Sequence, residues 1–372
     1  MGYSKQGFTN GMVLTHTHLI NMEEGILSMS QGGVEDVYAS SYGVMPGIVD
    51  MNKMNTLLAA ATGKTIRFND GVYEFPSHIT VPSNIAFVGN ARTEFKLSSN
   101  SGSNVLFNMV GVTNVTLSHL FINGGLTSQP QGSHTIDSTL FDKQGAGTRY
   151  GIYMNKCRRI NLHDLDVYGW DLAGIYCINN DAGGGEFGRF YHMIQLTNSS
   201  MYYNYIGLHF GQYGEYNQVN CCTFGDNYIG ALNEGGNNQY VGCMFNSNWC
   251  GFALHGTNIT NESHGGCYSS TYNHNSITGL GGGIAIYAKD STVGWNFTGQ
   301  NIWYGALVFE DCKGIVFDGS IIGNVQFRST RSDGAKNQNI FTNAYFYTNP
   351  SGFLSGNDGS TYIGTYIPGG TN

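Results

Sequence analysis

Apolar residues alternate with other residues in a short phrase that recurs along the middle of the chain. The phrase reads Gly-Ile-Tyr-Met at its first occurrence and Gly-Leu-His-Phe at its third. Alternation with a period of two is typical of a β-strand. The copies begin at Gly151, Gly174, Gly207, Gly230, Gly251, Gly283 and Gly305, in steps of 23, 33, 23, 21, 32 and 22 residues. A nearly fixed step with local additions indicates a solenoid whose coils carry insertions.

A second strand phrase and a regular turn complete the predicted coil. The second phrase begins at Val115, Ile160, Val219, Val293 and Ile315, so each coil contains at least two strands. Four coils carry an amide or acid three residues before the glycine, namely Asp171, Asn204, Asn227 and Asn248. Amide side chains at one position of stacked coils form ladders. The sequence therefore predicts an all-β solenoid of about 22 residues per coil over residues 63–330, with an asparagine ladder in its turns.

The two ends of the chain depart from this period. Residues 1–30 contain apolar side chains at helical spacing and predict a short helical segment. Residues 31–62 are predicted to form a linker and a capping helix, with Asp50 as the N-cap and Gly63 just beyond the last turn. Residues 331–372 hold aromatic strand-like segments among Gly and Asn, and they are expected to close the C-terminal end or to mediate association.

Two segments resemble known families. The run Gly11-Met12-Val13-Leu14-Thr15, followed by Leu19 to Ile26, is similar to the N-terminal segment of many bacteriophage tail proteins. The helix at Asp50, the strand that follows it and the phrase Gly71-Val72-Tyr73 resemble the opening of the pectate-lyase-like right-handed parallel β-helix proteins, which include phage tailspikes. The first resemblance implies that residues 1–30 attach the chain to a virion. The second implies that residues 63–330 form a right-handed single-stranded parallel β-helix and that the helix at Asp50 covers the open end of this solenoid.

Composition excludes several classes of function. Charged residues make up 11% of the chain and the formal net charge is −8, whereas nucleic-acid binding requires basic surfaces. Apolar runs stay below the roughly 18 residues of a membrane span, and the first residues lack the apolar core of a signal peptide. The eight cysteines form no Cys-x-x-Cys pair, which favours free thiols over a zinc site. We therefore expect a protein made in the bacterial host cytoplasm, without nucleic-acid binding, membrane insertion, metal or cofactor.

The alternation also sorts the side chains of the repeat. Positions one and three after each glycine are predicted to face the core, and positions two and four the outside. Glu234, His255 and Tyr287 share the fourth position in consecutive coils and are expected to be neighbours on one exposed sheet face. The two long steps place extra residues near 179–189 and 256–266, at the same corner of the solenoid with two ordinary coils between them.

A cleft on the order of 15 Å wide, about three strand spacings, is predicted between these two loops. Amides, tyrosines and acids suit a sugar polymer, because they hydrogen-bond hydroxyl groups and stack on pyranose rings. The predicted substrate-binding residues are His209, Tyr213, Tyr216, Asn237, Asn238, Tyr287, Asp181, Glu186 and Arg189.

The sequence leaves two catalytic arrangements and one structural arrangement open. Glycoside hydrolysis needs an acid and a base or nucleophile, and Glu215 with Glu234 is the predicted pair. A raised pKa would make one of them the general acid. Alternatively, Glu234 and His255 serve a lyase, in which His255 or Tyr287 takes a proton beside a uronate carboxylate and Arg189 neutralises that carboxylate. In the structural arrangement, both glutamates are solvent-facing turn residues.

Pectate-lyase-type enzymes often use calcium on clustered aspartates, and the sequence has no dense cluster of that kind.

These patterns and resemblances predict a bacteriophage tailspike or receptor-binding protein that recognises and depolymerises a host cell-surface polysaccharide. The expected partners are that polysaccharide, other phage tail or baseplate proteins through the N-terminus, and further copies of the chain in a homotrimer. The expected location is the virion. The alternatives are a non-enzymatic virion adhesin or structural spike on the same β-helix, and a free polysaccharide lyase or glycoside hydrolase.

Overall fold

The computed structural model describes residues 36–130, 147–178, 193–212, 214–256, 263–275, 283–289, 292–310, 312–323, 325–330, 338–347 and 361–368. The helical segment predicted within residues 1–30 lies outside this part of the chain. So do the whole of the predicted loop at 179–189 and residues 257–262 of the predicted loop at 256–266. No helix among the described residues has the length and apolar character needed to cross a bilayer.

Strands dominate the described chain, with one 3₁₀ turn (Ala39–Tyr42) and one α-helix, α1 (Met51–Ala60), near its beginning. The strands are β1 (Asp36–Tyr38), β2 (Gly47–Ile48), β3 (Thr65–Arg67), β4 (Gly71–Phe75), β5 (Ile79–Thr80), β6 (Ile85–Val88), β7 (Thr93–Leu97), β8 (Val105–Val110), β9 (Thr113–Asn123), β10 (Tyr150–Asn155), β11 (Arg158–Tyr168), β12 (Ala173–Ile178), β13 (Ile194–Thr197), β14 (Ser200–Tyr202), β15 (Ile206–Phe210), β16 (Gln218–Asn220), β17 (Thr223–Gly225), β18 (Ile229–Asn233), β19 (Asn238–Val241), β20 (Met244–Asn246), β21 (Cys250–His255), β22 (Ser263–Tyr268), β23 (Thr271–Asn273), β24 (Ile284–Lys289), β25 (Thr292–Thr298), β26 (Asn301–Trp303), β27 (Gly305–Glu310), β28 (Lys313–Asp318), β29 (Ile321–Ile322), β30 (Val325–Thr330), β31 (Gln338–Thr342), β32 (Tyr345–Phe346) and β33 (Thr361–Ile363).

Each strand pairs in parallel with the equivalent strands of the coils before and after it. The seven glycine phrases lie in a ten-stranded sheet in the order β30-β27-β24-β21-β18-β15-β12-β10-β8-β5, and the second strand phrases belong to a larger parallel sheet. A chain that returns to the same sheet once per coil, always in the same direction, is a parallel β-helix. The predicted fold class is confirmed.

The core runs along the axis of the β-helix. Ile152, Ile175 and Leu208 occupy the first position after their glycines, lie in register across three coils, and are at most 1% exposed. Like side chains also stack, since the rings of Phe224 and Phe245 lie 4.9 Å apart and nearly parallel. That distance matches the spacing of paired strands, so coil stacking itself sets the aromatic contacts.

Helix α1 covers the N-terminal end of this core. The side chain of Asp50 accepts a hydrogen bond from the backbone N–H of Asn52 at 2.9 Å, which is an N-cap. Met54, Leu57 and Leu58 are buried one and two turns later. The predicted capping helix is therefore confirmed, and its apolar stripe shields core residues that an open coil would expose.

A buried ladder of asparagines links four coils. The Oδ1 atom of Asn227 accepts from both the backbone N–H and the side-chain amide of Asn204, each at 3.0 Å. Asn248 does the same for Asn227, and Asn275 does so for Asn248 at 3.1–3.2 Å. Asp171 departs from the ladder, because its carboxylate accepts from Arg149 instead. The ladder predicted from the sequence is therefore present, and it continues one coil further.

We expect Asn227→Ala to lower the free energy of unfolding by about 3–5 kcal/mol. The substitution removes the acceptor of the buried Asn204 N–H and the donor that reaches the carbonyl of Met201 at 2.9 Å. Each buried group left without a partner costs roughly 1–3 kcal/mol. Urea denaturation followed by circular dichroism measures the change. Asn161→Ala is the matched control, because Asn161 is exposed on β11 and surface changes cost roughly 0.5 kcal/mol or less. Equal midpoints for the two variants would contradict the role of the ladder.

Candidate functional site

Glu234 follows β18 directly and lies between two histidines from neighbouring coils. Its Oε2 is 2.9 Å from Nε2 of His209, and its Oε1 is 3.2 Å from Nδ1 of His255. A carboxylate only accepts, so both ring nitrogens donate to it. The His209 side chain is 1% exposed, whereas those of Glu234 and His255 are 17% and 20% exposed. His209 is therefore not placed to contact a substrate as predicted, because its buried ring contacts Glu234 instead. The predicted proximity of Glu234 and His255 is present, and one edge of the pair is open to solvent.

The two imidazoles determine the charge of Glu234. Burial raises the pKa of this carboxyl, but the attraction and hydrogen bonds of His209 and His255 outweigh burial and hold the pKa well below its usual range. Glu234 is therefore an anion at neutral pH. This direction is the opposite of the raised pKa that would make Glu234 a general acid.

Aromatic rings extend the site beyond His209. The ring of Tyr176 lies 4.7 Å from the imidazole of His209, and Tyr150 stacks on Tyr176 at 5.1 Å with nearly parallel planes. Burial, followed by the charges of neighbours that include Glu234, raises the pKa of the Tyr176 phenol. A neutral tyrosine ring therefore packs against His209, the buried histidine that donates to Glu234.

Glu215 lies in the turn after β15, with partners that differ from those of Glu234. Its carboxyl accepts a long hydrogen bond from Asn237 at 3.4 Å. Burial raises the pKa of Glu215, and the Asn237 contact and the nearby His264 lower it less. A side-chain atom on Gly236 would lie only 2.4 Å from the His264 ring, so this glycine admits the imidazole to the turn. The two predicted catalytic carboxyls thus have pKa values displaced in opposite directions.

A second, shorter asparagine ladder holds both turns. Oδ1 of Asn238 accepts from the backbone and side-chain amides of Asn217 at 3.0 Å. The Asn238 amide donates to the carbonyl of Gly214 and to Oδ1 of Asn233, each at 2.8 Å. Asn238 is 0% exposed. Its predicted role in substrate binding is therefore wrong, because its amide is used inside the protein to position the turns that carry Glu215 and Glu234.

Tyr287 also lies elsewhere than predicted. The register pairs His255 with Lys289, and Tyr287 with Ala253. Tyr287 is 0% exposed, and its hydroxyl donates to Oε2 of Glu310 at 2.7 Å. The sequence pattern aligned Tyr287 with His255, two residues from its observed partner Ala253. A shift of two residues keeps a side chain on the same face of the sheet, so the pattern predicted the face of Tyr287 correctly and its neighbours wrongly. Tyr287 is therefore not placed to bind a polymer or to take its proton.

The outer face of the ten-stranded sheet is buried along its centre. Leu232, Ala253, Tyr287 and Val308 follow one another in register on this face and are at most 1% exposed. They belong to a second apolar cluster, in which Tyr228 stacks between Tyr205 and Trp249 at 4.7 and 5.0 Å. The prediction of one continuous exposed face is therefore wrong. Solvent reaches Glu234 and His255 at the margin of this cluster.

The remaining predicted residues divide into two groups. Tyr216 is 44% exposed and Asn237 is exposed in the neighbouring turn, so both present side chains to solvent near Glu215. Asp181, Glu186, Arg189 and Tyr213 lie outside the described residues. Within the described part, the structure brings together Glu234, His209 and His255, and separately Glu215, Asn237 and His264.

Sequence reasoning did not assign Asn233 or Tyr176 to the site. Asn233 occupies an inward position that is apolar in most other coils, and a polar residue there was a usable signal. Tyr176 shares the second position of its phrase with His209 one coil later, and this alignment was also visible in the sequence.

Several solved structures are similar to this chain over most of its length. The A-module of the mannuronan C-5 epimerase AlgE4 of Azotobacter vinelandii superposes with a TM-score of 0.60 at 12% identity, over 89% of this chain and 95% of the module. The catalytic unit of a GH87 α-1,3-glucanase from Streptomyces thermodiastaticus gives 0.55 at 13% identity, over 89% of this chain and 69% of that unit. Pre-mature gene product 12 of bacteriophage phi29 gives 0.54 at 13% identity, over 95% of this chain.

These likenesses establish the β-helix fold. At such low identities they show no shared activity. The chain spans 59% of the length of the phi29 protein. The sequence matches no protein-family model, and no curated protein matches it.

Proposed function

We propose that the chain is a bacteriophage virion protein that binds and hydrolyses a host surface polysaccharide. The observation that carries this proposal is the Glu234 carboxylate, which is partly open to solvent and held between His209 and His255. A carboxyl with a raised pKa, that of Glu215, lies in the turn of the preceding coil. Titratable groups whose pKa values are displaced in opposite directions are typical of an acid and base pair.

In the proposed reaction Glu215 donates its proton to the glycosidic oxygen as the bond between that oxygen and the anomeric carbon breaks. Glu234 either removes a proton from the attacking water or attacks the anomeric carbon itself, and the separation of the two carboxyls in the complex decides which. His209 and His255 hold Glu234 ionised and fix its orientation. Exposed Tyr216 and Asn237 supply an apolar ring and an amide for the sugar beside Glu215.

A second reaction is favoured by the Glu234–His255 contact. Because Nδ1 of His255 donates to Glu234, Nε2 is the nitrogen that would carry the lone pair once the ring has lost its second proton. A histidine oriented in this way by a carboxylate is a suitable general base. It would take the proton beside a uronate carboxylate, as in a lyase or an epimerase. The likeness to the AlgE4 mannuronan C-5 epimerase module supports keeping this candidate.

The virion location rests on the sequence of residues 11–26, with its resemblance to phage tail proteins, and on the β-helix shared with phi29 gene product 12. Attachment through residues 1–30 and a homotrimeric state belong to the same proposal. Mass spectrometry of purified particles tests the location, and a virion without the chain would overturn it.

The activity test is digestion of purified capsular polysaccharides from a panel of bacterial hosts. New reducing ends without ultraviolet absorbance identify hydrolysis, and absorbance from an unsaturated uronate identifies a lyase. We expect reducing ends from the wild type and none from a Glu215→Gln, Glu234→Gln double variant. Binding without cleavage by the wild type would overturn the hydrolase in favour of an adhesin. Undiminished cleavage by the double variant would remove this carboxyl pair from the mechanism.

A further inference from the structure

Two histidines and an aspartate meet at a corner of the β-helix away from Glu234. His119 lies within β9, and His163 and Asp164 lie within β11, the strand stacked on it. Nδ1 of His163 is 2.9 Å from Oδ2 of Asp164, and Nδ1 of His119 is 3.9 Å from the same oxygen. One ligand atom of each residue lies within 4.8 Å of the others.

The backbone directs these side chains toward each other. His119 and Asp164 are opposite each other in the stacked strands, since Ser118 pairs with His163 and Leu120 with Leu165. Both have left-handed backbone conformations, with φ of 54° and 52°. Histidine and aspartate tolerate this conformation better than most residues. The corner therefore presents an imidazole and a carboxylate from adjacent coils in the same direction.

The three ligands resemble a metal-binding set in chemistry and spacing. Ligands about 2.0–2.2 Å from a tetrahedral metal ion are roughly 3.4 Å from one another. The observed distances of 2.9 and 3.9 Å from the two imidazoles to Asp164 bracket that value, and the ligand atoms of the two histidines lie within 4.8 Å of each other. Side-chain rotations would therefore bring the three ligand atoms to metal-binding separations. Two imidazoles and one carboxylate suit zinc and its transition-metal neighbours, whereas magnesium and calcium prefer oxygen ligands.

A pocket adjoins the cluster. It has a volume of about 350 Å³ and is lined by Gly89, Asn90, Ala91, His119, Leu120, Phe121, Asp164 and Asp166. Two of the three candidate ligands thus border a space large enough for water molecules or a small ligand to complete the coordination of a bound ion.

We propose that His119, His163 and Asp164 form a binding site for a divalent transition-metal ion. The ion would join two adjacent coils through protein ligands and keep its remaining position toward the pocket. Because the metal would bind the folded chain, it would also raise the resistance to unfolding. The site is independent of the Glu234 region and of the polysaccharide proposal.

The probe is Zn²⁺, titrated into the full chain by isothermal titration calorimetry. We expect one ion per chain, with affinity reduced by more than about tenfold in His119→Asn and in Asp164→Asn. Asparagine tolerates the left-handed conformation, so both variants keep the local backbone. Zn²⁺ should raise the unfolding midpoint of the wild type and have a smaller effect on either variant, while Mg²⁺ and Ca²⁺ leave all midpoints unchanged.

His274→Asn is the matched control, because His274 is exposed and has a left-handed φ of 48°. Cys221→Ser controls for the exposed thiol, which is itself a zinc ligand. Both controls should bind Zn²⁺ as the wild type does. Absence of binding by the wild type, or equal affinity in wild type and His119→Asn, would overturn the site. Loss of binding in Cys221→Ser would assign the ion to the thiol instead.

Discussion

Replacing Glu234 by glutamine is expected to slow the proposed polysaccharide hydrolysis by about 100-fold or more. The substitution keeps the size of the side chain but removes the negative charge that His209 and His255 hold in place. General acid–base groups contribute roughly 10²–10⁴-fold to rates, and the loss should appear in kcat. Reducing-end assays over a range of substrate concentrations measure it. A variant with wild-type kcat would exclude Glu234 from the reaction.

The control for this variant is Glu74→Gln. Glu74 pairs with Lys96 at 2.9 Å near the N-terminal end of the β-helix, and its side chain is 34% exposed. Removing it changes the net charge by the same amount without touching the Glu234 region. We expect its cleavage rate to match that of the wild type, so a general effect of charge on the anionic chain can be separated from a local one.

The pH dependence of the same assay follows from Glu215. As the proposed acid it must be protonated, and its pKa is raised above the ordinary value of 4.5 by burial. The rate should therefore be highest on the acidic side and fall as the pH rises through the pKa of Glu215. Glu234, whose pKa is lowered, stays ionised across that range. Glu215→Gln should remove the decline together with most of the activity.

Gly230→Ala is expected to destabilise the fold by about 3 kcal/mol or more, or to prevent folding. A Cβ atom at this position would lie 2.4 Å from the carbonyl oxygen of Gly251 and 3.1 Å from the side-chain nitrogen of Asn248. The first contact is with backbone of the next coil, which moves only if the coils separate. Overpacking a close-packed interior costs roughly 1–3 kcal/mol and more where the backbone must shift. Urea denaturation and the yield of soluble protein measure the effect.

Gly225→Ala provides the comparison for this prediction. The nearest atom to a Cβ at Gly225 is the carbonyl oxygen of Asn246 at 3.7 Å, which is ordinary van der Waals contact. Its φ lies outside the left-handed region. Replacing a glycine by alanine under these conditions is neutral or stabilises by roughly 0.4–1 kcal/mol. Similar unfolding midpoints for the two variants would show that the short distance between Gly230 and the Gly251 carbonyl does not exclude a side chain at position 230.

The fold can be predicted from the sequence because the repeated residues are those that the backbone geometry requires in every coil. Gly151, Gly207 and Gly230 recur since each faces the carbonyl of the next coil at 2.4–2.5 Å from a would-be Cβ. Asn204 and Asn227 recur because their amides satisfy one another and the turn backbone. Such constraints act on every coil, so the same residue types recur in the sequence once per coil. Alternation and spacing therefore predict the β-solenoid and its ladder, whereas the parallel β-helix type and the capping role of the helix are predicted from the resemblance to known β-helix proteins.

The candidate site was only partly readable, because it depends on what differs between coils. The proximity of Glu234 and His255 followed from spacing, but the position of Tyr287 did not, since a shift of two residues leaves the alternation intact. Burial of the outer face of the sheet could not be predicted either. Outward positions such as Leu232 can be apolar while the inward positions stay apolar, so the alternation that predicts a strand is unchanged. The role of Asn238 depended on contacts across coils that spacing alone does not reveal.

The cross-coil origin of the Glu234 cluster constrains how such a gene can change in length. His209, Glu234 and His255 come from three successive coils, and the asparagine ladder joins each coil only to its neighbours. An in-frame duplication or loss of one whole coil would therefore leave the solenoid intact and separate the three side chains. Related chains that vary in solenoid length through such events would conserve the fold and lose the cluster, unless the added or lost coils lie outside the segment from β15 to β21.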